Sequence, residues 1–299
     1  MLTHRNPSPV NPSRVVILGA SGFVGSHLAQ YLTAQSIPVV TLGSAQIDLC
    51  GSDAVEGLKR AVQEYDTLVF ISALTPDKGR DIRTLMRNLA MGENVGNFLE
   101  ASPCAHMVYI SSDAVYSDDE TLLVETTRCD PSGFHGVMHL ARERMLQYSL
   151  RDSTTPALYL RSSLLYGPGD THNGYGPNRF MRTASEAGKI SLFGQGEDKR
   201  DHVYIKDFAQ LLGLCLSHAS EGILNVATGV SSSFQEVATT ITGLYQQDGK
   251  NIEIENLPQG SATSYRHFDI STTLKAFPSF HYRSLQVGLS ETLNETKSA

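Results

Sequence analysis

A short apolar run followed at once by three evenly spaced glycines constrains the fold of this chain more than any other feature. Val15-Val16-Ile17-Leu18 has the character of a buried strand, and the glycine turn Gly19-Ala20-Ser21-Gly22-Phe23-Val24-Gly25 separates it from a helical segment at 26–35. Glycines there allow a tight bend and let an anion reach the backbone amides at the positive end of the helix. The motif predicts a dinucleotide-binding unit, with a turn that merely packs helix on strand as the alternative. Cofactor contacts are predicted at Gly19, Ser21, Gly22, Phe23, Val24 and Gly25.

Short apolar runs alternate with longer mixed segments from Arg14 onward, which is typical of a parallel sheet covered by helices. A loop rich in Gly, Pro, Asn and Asp follows at 166–178, and 222–226 predicts a strand that returns to the sheet. The fold class is therefore α/β: a Rossmann-type doubly wound parallel sheet with a smaller C-terminal substrate-binding domain. The strands predicted after the glycine turn are 38–42, 67–71, 107–111 and 157–160, and the helices are 54–65, 81–101 and 137–150.

The domain boundaries follow from that loop and from the start of the chain. Residues 1–13 hold three prolines among polar residues and predict a flexible tail. Residues 14–165 form the predicted NAD(P)-binding Rossmann domain, which residues at about 200–228 complete. Residues 166–199 and 229–299 form the predicted smaller domain.

Composition limits the partners of the chain. With a formal net charge of −7 and no long Lys/Arg run, it has no bulk electrostatic basis for binding nucleic acid or an anionic membrane. No apolar stretch approaches the length that spans a bilayer, so the predicted partner is a small molecule, not nucleic acid or membrane. The cysteines form no Cys-x-x-Cys pair and predict no disulfide framework, as expected for the cytoplasm.

The phosphate state of the cofactor stays open. An acidic residue commonly ends the second strand and binds the adenosine ribose, but the chain reads Leu42-Gly43-Ser44 there. Ser44 could donate to a 2′-phosphate, yet no Arg stands beside it. The predicted cofactor is therefore NAD or NADP. Asp48 and Leu49 are candidates to meet the adenine, with a surface turn as the alternative.

Further motifs follow the glycine turn in a familiar order. They are Ser111-Ser112-Asp113-Ala114-Val115-Tyr116, Leu165-Tyr166-Gly167-Pro168-Gly169-Asp170, Gly194-Gln195-Gly196 with Arg200-Asp201-His202-Val203-Tyr204 and Asp207, and Asn225-Val226-Ala227 before Gly229. In this order and spacing the chain resembles the extended short-chain dehydrogenase/reductases (the NAD-dependent epimerase/dehydratase family) from Val15 almost to its end. The resemblance implies a Rossmann domain for the cofactor, a C-terminal domain that closes over the substrate, and often a nucleotide-sugar substrate.

The resemblance also implies contacts and partners that the residues alone do not show. In the family the long helices corresponding to 81–101 and 137–150 form a dimer bundle, which is compatible with a homodimer here. Further cofactor contacts are implied at Ile71, Ser72, Ala73, Asn88 and Ser111.

The catalytic positions of the family are only partly kept. There, a Ser or Thr after the fifth strand acts with a Tyr-x-x-x-Lys pair on the next helix. Ser112 matches the first, and His135-Gly136-Val137-Met138-His139 matches the pair, with Gly136 and Glu143 in the family's places. A second register would put Phe134 and Met138 at the pair but would misplace Gly136. The predicted catalytic residues are therefore Ser112, His135 and His139.

Histidine replaces only part of the Tyr–Lys chemistry. The family's lysine lowers the proton affinity of the tyrosine and binds the nicotinamide ribose. We expect His135 to titrate near neutrality and to exchange the substrate proton, and His139 to bind a ribose hydroxyl without lysine's fixed charge.

Two histidines at i and i+4 also suit a helical metal pair. Cys129, Asp130 or His172 could be a third ligand, but no spacing fixes one of them, and no metal is predicted. Two merely exposed helix histidines are a further alternative.

Two departures from the family bear on the reaction. Asp113 follows Ser112 as in dehydratases and sugar reductases of the family, but Ala114 stands where the dehydratases carry Glu. A 4,6-dehydratase is therefore disfavoured, because the base that removes the C5 proton has no carboxylate to act from. Leu164 replaces an Asn that contacts the nucleotide diphosphate in many members.

Positive and amide side chains nevertheless favour a phosphate-bearing substrate. Arg200 matches the family's substrate-phosphate arginine, and Asn178-Arg179 could add donors. A surface ion pair of Arg200 with Asp198 or Asp201 is the alternative. The loop 75–80 follows a strand's carboxyl end, where open α/β sheets bind ligands. The predicted substrate-binding residues are Thr75, Asp113, Asn178, Arg179 and Arg200.

Two functions are consistent with these residues. The first is an NAD(P)-dependent epimerase or reductase acting on a sugar, by hydride transfer with Ser112 and His135 handling the substrate oxygen and proton. The alternative is a dinucleotide-binding sensor or regulatory protein that has kept the glycine turn and lost the catalytic Tyr and Lys.

Overall fold

The computed structural model describes residues 2–170, 172–259 and 263–298, which form a central sheet, helices on both of its faces and three smaller sheets. The strands are β1 (Thr3–His4), β2 (Val15–Leu18), β3 (Val39–Leu42), β4 (Thr67–Phe70), β5 (His106–Ser112), β6 (Leu122–Leu123), β7 (Ala157–Ser162), β8 (Leu164–Tyr166), β9 (Lys189–Phe193), β10 (Lys199–Tyr204), β11 (Ser220–Val226), β12 (Ser231–Ser233), β13 (Glu253–Leu257) and β14 (His267–Phe268). The helices are α1 (Phe23–Ala34), α2 (Ala54–Ala61), α3 (Ile82–Ala101), α4 (Phe134–Ser149), α5 (Pro177–Ala187), α6 (Ile205–Ser217), α7 (Phe234–Gln247), α8 (Ser271–Ala276) and α9 (Leu285–Ser298).

The central sheet has the strand order β1-β11-β7-β5-β4-β2-β3. Every pair from β3 to β11 is parallel, and β1 alone runs antiparallel, on the edge. After β2 the chain first builds β3 on one side and then β4 on the other. This reversal places a crevice at the carboxyl ends of β2 and β4, which is where open α/β sheets bind ligands.

The β2 residues explain why their run is uniformly apolar. Val15 and Ile17 join one core with Leu28 of α1, whereas Val16 and Leu18 join the core on the opposite face. Successive side chains of a strand point to opposite faces, and helices cover both faces of this sheet. All four β2 side chains are therefore at most 1% exposed.

Two helix boundaries matter for the site. The α3 helix begins at Ile82, one residue after the predicted start, because the Asp81 carboxylate caps it by accepting a 2.8 Å hydrogen bond from the Thr84 amide. The α4 helix begins at Phe134, three residues before the predicted start at Val137. His135 therefore stands in the first turn of α4.

Part of the predicted flexible tail lies against the edge of the central sheet, and the flexibility of the tail stays a prediction. Thr3 and His4 pair with Glu221 and Ser220 of β11, and the Arg5 guanidinium lies 2.9 Å from the Glu221 carboxylate. A two-residue strand has no periodicity from which a sequence could predict it. Met1 lies outside the described residues.

The second half of the chain divides between the sheets. As predicted for 200–228, β11 rejoins the central sheet, and α6 packs so closely on α1 that a Cβ on Gly213 would lie 2.3 Å from the Tyr31 ring. In contrast, β10 pairs with β8 and β12 in a separate three-stranded sheet, and β9 pairs with β13. The division into cofactor and substrate domains stays a prediction.

Candidate functional site

The glycine turn leaves no room for side chains at two of its three glycines. Gly19 has φ +94°, and a Cβ there would lie 2.8 Å from the Ser72 backbone nitrogen. A Cβ on Gly25 would lie 2.3 Å from the Gly19 carbonyl oxygen. The turn thus brings the first turn of α1 directly against the end of β2, so that the free amides at the helix start face the crevice. This cradle fits a dinucleotide pyrophosphate.

The turn after β3 adjoins the glycine turn. A Cβ on Gly43 would lie 3.6 Å from the Ser21 hydroxyl, so Ser44 follows directly beside the predicted pyrophosphate site. Asp48 accepts a 3.0 Å hydrogen bond from the Cys50 amide, and Leu49 is buried in the core next to β2. Asp48 therefore stabilises a turn and Leu49 packs in the core. The contact of either residue with adenine stays a prediction.

The segment after β4 is held in place at both ends. The amides of Ile71 and Ser72 both donate to the Leu18 carbonyl, at 2.9 and 3.0 Å. Asn88, 2% exposed, clamps Leu74 by accepting from its amide at 2.8 Å and donating to its carbonyl at 2.9 Å. Ala73 lies between these anchors. Asn88 therefore positions this segment, and its own contact with the cofactor stays a prediction.

The start of α4 packs against the turn that follows β5. A Cβ on Gly136 would lie only 1.9 Å from the Ala114 carbonyl oxygen, so no other residue fits there. Ser112 caps the same turn, since its hydroxyl accepts from the Ala114 amide at 3.2 Å. The contact brings the first turn of α4, which carries His135, against the turn that Ser112 caps, and it favours the register in which Gly136 occupies the family's glycine position.

The two histidines of α4 have different surroundings. Their rings meet at right angles with centroids 4.6 Å apart. The His139 Nδ1 lies 2.7 Å from the buried Tyr109 hydroxyl, whereas His135 lines a cavity. If the Tyr109 hydroxyl donates, neutral His139 carries its proton on Nε2, which leaves Nε2–H as the group available to a ribose oxygen.

Burial keeps both histidines neutral. It lowers the pKa of His135 to about 4, helped by His172 and Arg142, and it lowers the pKa of His139 well below the ordinary value, helped by His135 and Arg142. The expectation that His135 titrates near neutrality is therefore wrong. The sequence could not show this lowered pKa, because it comes mainly from the desolvation of His135 in the first turn of α4. At neutral pH His135 offers a free base rather than an imidazolium.

Stability should fall as the protein is acidified. Burial lowers the pKa of His106 and His135 to about 4 and of His202 to about 3, from 6.5, so the unfolded chain binds more protons than the native protein below pH 6.5. Asp201, whose pKa burial raises to about 6, acts in the opposite direction, as do Asp113 and Asp207, whose pKa burial also raises. The lowered pKa of His139 adds to the effect of the other three histidines, which we expect to dominate. We expect the urea midpoint to drop by the equivalent of a few kcal/mol between pH 6.5 and about 4. A midpoint that is constant or rises over this range would contradict the buried neutral histidines.

A buried ion pair fixes α4 to the sheet. The Arg161 guanidinium of β7 lies 2.7 Å from the Glu143 carboxylate, which also accepts a 2.6 Å hydrogen bond from the Ser111 hydroxyl. Their side chains are 3% and 0% exposed. The Ser111 hydroxyl therefore points toward α4. The predicted contact of Ser111 with the cofactor would be made by its backbone atoms.

Glu143→Ala is expected to destabilise the protein by about 3–5 kcal/mol, because it leaves the Arg161 charge buried without a partner. Glu56→Ala is the matched control, since it removes an exposed pair with Lys59 and should cost less than about 0.5 kcal/mol. Urea unfolding measures both. Equal and small losses would show that the buried pair does not hold α4.

A cavity of about 380 Å³ lies beside His135, between the loop after β4 and the starts of α3 and α4. At its edge the Thr75 hydroxyl donates to the Asp77 carboxylate at 2.6 Å, and His172 Nδ1 lies 3.1 Å from the same carboxylate. The loops after β4 and β8 thus meet next to the cavity. Its walls include Leu74, Pro76, Leu85, Phe134, His135 and Met138.

The predicted substrate arginine is accompanied by a second one. Arg200 donates to the Ser264 carbonyl and hydroxyl at 3.0 and 2.6 Å, and within the described ranges it forms no ion pair with Asp198 or Asp201. Arg266, 7% exposed, donates to the Asp113 backbone carbonyl at 2.9 Å. Burial, with Arg266 as a further cause, lowers the pKa of Arg200. Arg266 was missed because no motif surrounds it in the sequence.

The loop entering α5 uses its two predicted residues differently. The Asn178 side chain accepts a 3.0 Å hydrogen bond from the Gly167 amide and so fixes the loop after β8. Arg179 is exposed. A substrate contact by either residue stays a prediction.

Two further observations concern other kinds of site. Among the described residues no group of three or more His, Cys, Asp or Glu side chains is arranged to hold a metal ion, so Cys129, Asp130 and His172 do not complete a site with the α4 histidines. In the same part of the chain no helix has the length and apolar character needed to cross a membrane.

Comparisons with known proteins agree with this geometry. The sequence model of the NAD-dependent epimerase/dehydratase family matches residues 15–227. ADP-L-glycero-D-manno-heptose-6-epimerase of Alkalilimnicola ehrlichii is 24% identical in an alignment covering 95% of this chain and 98% of that protein. UDP-N-acetyl-alpha-D-glucosaminuronate decarboxylase of Bacillus cytotoxicus is 23% identical, with 94% and 96% covered.

Solved structures are similar over the whole fold. The UDP-glucose 4-epimerase of Thermus thermophilus, in complex with NAD, superposes with a TM-score of 0.79 at 20% identity, over 96% of this chain and 99% of that one. A GDP-L-fucose synthetase from Naegleria fowleri gives a TM-score of 0.87 at 16% identity, over 98% and 97%. These likenesses confirm the predicted Rossmann-type fold. The family match confirms the resemblance and the NAD-type cofactor.

Proposed function

The chain belongs to the NAD-dependent epimerase/dehydratase family, and from this membership we propose that it is an NAD(P)-dependent epimerase or reductase acting on a nucleotide sugar. The packing of Gly136 on the turn capped by Ser112 carries the proposal, because it supports a site in which the first turn of α4, with His135 lining a cavity, lies against the turn after β5. Relatives named for ADP- and UDP-linked sugars, and Arg200, which has no ion-pair partner among the described residues, support a diphosphate-bearing substrate. Arg266 is already paired with Asp118 at 2.7 Å, so it is the less available of the two arginines.

The residues of the site have complementary roles in this mechanism. The Ser112 hydroxyl hydrogen-bonds the reacting substrate oxygen, and neutral His135 takes the hydroxyl proton on a ring nitrogen as the carbon gives up its hydride. The bound cofactor supplies the hydride acceptor, and in the reverse direction the donor. His139 donates Nε2–H to the cofactor ribose while Tyr109 holds its other nitrogen. Return of the hydride to the opposite face of the carbon, with return of the proton to the oxygen, would give an epimer, whereas reduction of a ketone substrate would consume one reduced cofactor and one proton and give an alcohol.

The second candidate is a dinucleotide-binding sensor, which is favoured by the loss of the fixed cation at position 139 and by the burial of His139. Calorimetry with NAD⁺, NADH, NADP⁺ and NADPH, beside product analysis with ADP-, GDP- and UDP-sugars, separates the two functions. Turnover of any of these sugars supports the enzyme. Tight cofactor binding with no product from the whole panel supports the sensor.

The proposal also includes the oligomeric state of the protein and its location in the cell. Exposed apolar side chains at the starts of α3 and α4, Ile82, Met86 and Phe134, support a homodimer through these helices, which sedimentation would detect as twice the chain mass. A cytoplasmic location stays a prediction.

A further inference from the structure

Arg142 on α4 is a buried cation without a carboxylate partner. Its side chain is 0% exposed, and the acidic residue beside it, Glu143, is already bound to Arg161. Across the residues that the structure describes, no carboxylate lies within ion-pair distance of the Arg142 guanidinium. Burying a charge without a counter-charge costs free energy. We therefore expect the buried Arg142 guanidinium to have a function that outweighs this cost.

The guanidinium is held by oxygen atoms of the predicted cofactor segment. Its Nε donates to the Asn88 carbonyl at 2.8 Å, its Nη1 donates to the Ser72 carbonyl at 2.8 Å, and its Nη2 donates to the Asn88 side-chain oxygen at 3.2 Å. Its central carbon also lies 4.8 Å from the centre of the Phe70 ring. These contacts fix the guanidinium between the end of β4 and the helix α3.

The neighbouring helix is shaped around this side chain. A Cβ on Gly92 of α3 would lie 2.9 Å from the Arg142 Cγ. Gly92 stands one helical turn from Asn88, so both face Arg142. Gly92 leaves space for the arginine side chain, and Asn88 accepts its hydrogen bonds. The arginine is therefore built into the packing of α3 on α4.

The same arginine connects the glycine turn, the cavity and the two histidines. Ser72, which it binds, is the residue that a Cβ on Gly19 would meet. Asn88, which it also binds, clamps Leu74 at the cavity wall. Along α4 it follows His139 by about one turn.

We propose that Arg142 is a positioning residue that supplies the site's fixed positive charge and holds the segment 72–74 between the glycine turn and the cavity. Its part in hydride transfer rests on the proposed function. In the sequence motif the fixed charge is expected from a lysine at position 139, and here it comes from the next turn of α4. The charge favours neutral His135 and His139, and it disfavours the cationic nicotinamide of NAD⁺ relative to NADH.

The proposal is tested by R142Q, which removes the charge but keeps hydrogen-bond donors, with R142K as the matched variant that keeps the charge. The pKa of His135, about 4 in the native protein, is measured by NMR without cofactor, and His135→Asn assigns its signal. Neither variant replaces the other titratable groups near these histidines, His172 and Tyr109. Burial raises the pKa of Tyr109 and the Arg142 charge lowers it, so the Tyr109 signal is followed as well. We expect the His135 pKa to rise in R142Q and to stay unchanged in R142K.

A second readout uses NAD⁺ and NADH as probes. By calorimetry, R142Q should shift the ratio of their dissociation constants about threefold or more in favour of NAD⁺, and R142K should leave the ratio unchanged. A purely structural role would weaken both cofactors equally. If R142Q does not fold, R142M replaces it, because an apolar side chain of similar length suits the buried position.

An unchanged His135 pKa in the charge-removing variant, or equal shifts in that variant and R142K, would overturn the proposal. Failure of the native protein to bind NAD⁺ or NADH would instead overturn the proposed function. The NMR titration would still decide the role of Arg142.

Discussion

Gly19→Ala is expected to weaken the binding of NAD⁺ and NADH by about a hundredfold or more. The Gly19 backbone has φ +94°, which costs an L-residue on the order of 1–3 kcal/mol. In addition, the new Cβ would lie 2.8 Å from a backbone atom of Ser72, which cannot move without displacing the end of β4. The backbone strain at position 19 and the displacement of Ser72 both lie at the crevice that is predicted to bind the cofactor, so both weaken cofactor binding. Calorimetric titration with each cofactor measures the loss.

The matched control is Gly243→Ala. Gly243 lies inside α7, and a Cβ there meets no atom within 4 Å. Alanine should leave cofactor affinity unchanged and stabilise the helix by about 0.5–1 kcal/mol. Native-like cofactor affinity in Gly19→Ala would mean that the pyrophosphate does not bind at the glycine turn.

His135→Ala is expected to lower the rate of hydride exchange by about 10²- to 10⁴-fold, the range for loss of a general acid–base group. Cofactor affinity should change little, because among the two α4 histidines His139 is assigned to the ribose. The His135 ring makes no hydrogen bond within the described residues, and its removal from the cavity wall should leave the fold intact.

Exposed His281→Ala is the matched control for this change, since it deletes the same ring far from the cavity lining. It should keep the native rate. A native rate in His135→Ala as well would remove His135 from the mechanism and leave proton transfer to Ser112 or to solvent.

The features that the sequence predicts well are those set by local chemistry. An apolar run followed by spaced glycines fits few structures other than a strand, a tight turn and a helix. The sequence therefore predicts the strand and the turn at Val15–Gly25, and it predicts the start of α1 to within a few residues. Gly136 was informative for the same reason, because only glycine fits against the Ala114 carbonyl. These positions require particular residue types, and that requirement is visible in the chain itself.

What the sequence does not show depends on distant partners. The pairing of Thr3–His4 with β11 joins residues more than two hundred positions apart, and nothing local announces it. The low pKa of His135 arises from desolvation in the folded protein and from His172, which is remote in sequence, as well as from Arg142. Arg142 resembles any helical arginine until Ser72, Asn88 and Gly92 are seen around it.

The departure at the Tyr–Lys positions makes the chemistry, not the fold, the central question. In the proposed mechanism Ser112 and His135 supply the groups needed to oxidise an alcohol, but a weak base replaces the family's usual phenol. Hydride transfer is therefore the step to observe directly.

The most direct test mixes the NAD⁺-loaded protein with ADP-, GDP- and UDP-linked sugars and follows the absorbance of reduced nicotinamide. We predict that at least one sugar produces a signal in the native protein, and that His135→Ala and Ser112→Ala lose that signal while still binding NAD⁺. Tight NAD⁺ binding with neither a reduced-nicotinamide signal nor an epimerised product from any sugar would contradict the assignment as a hydride-transferring enzyme.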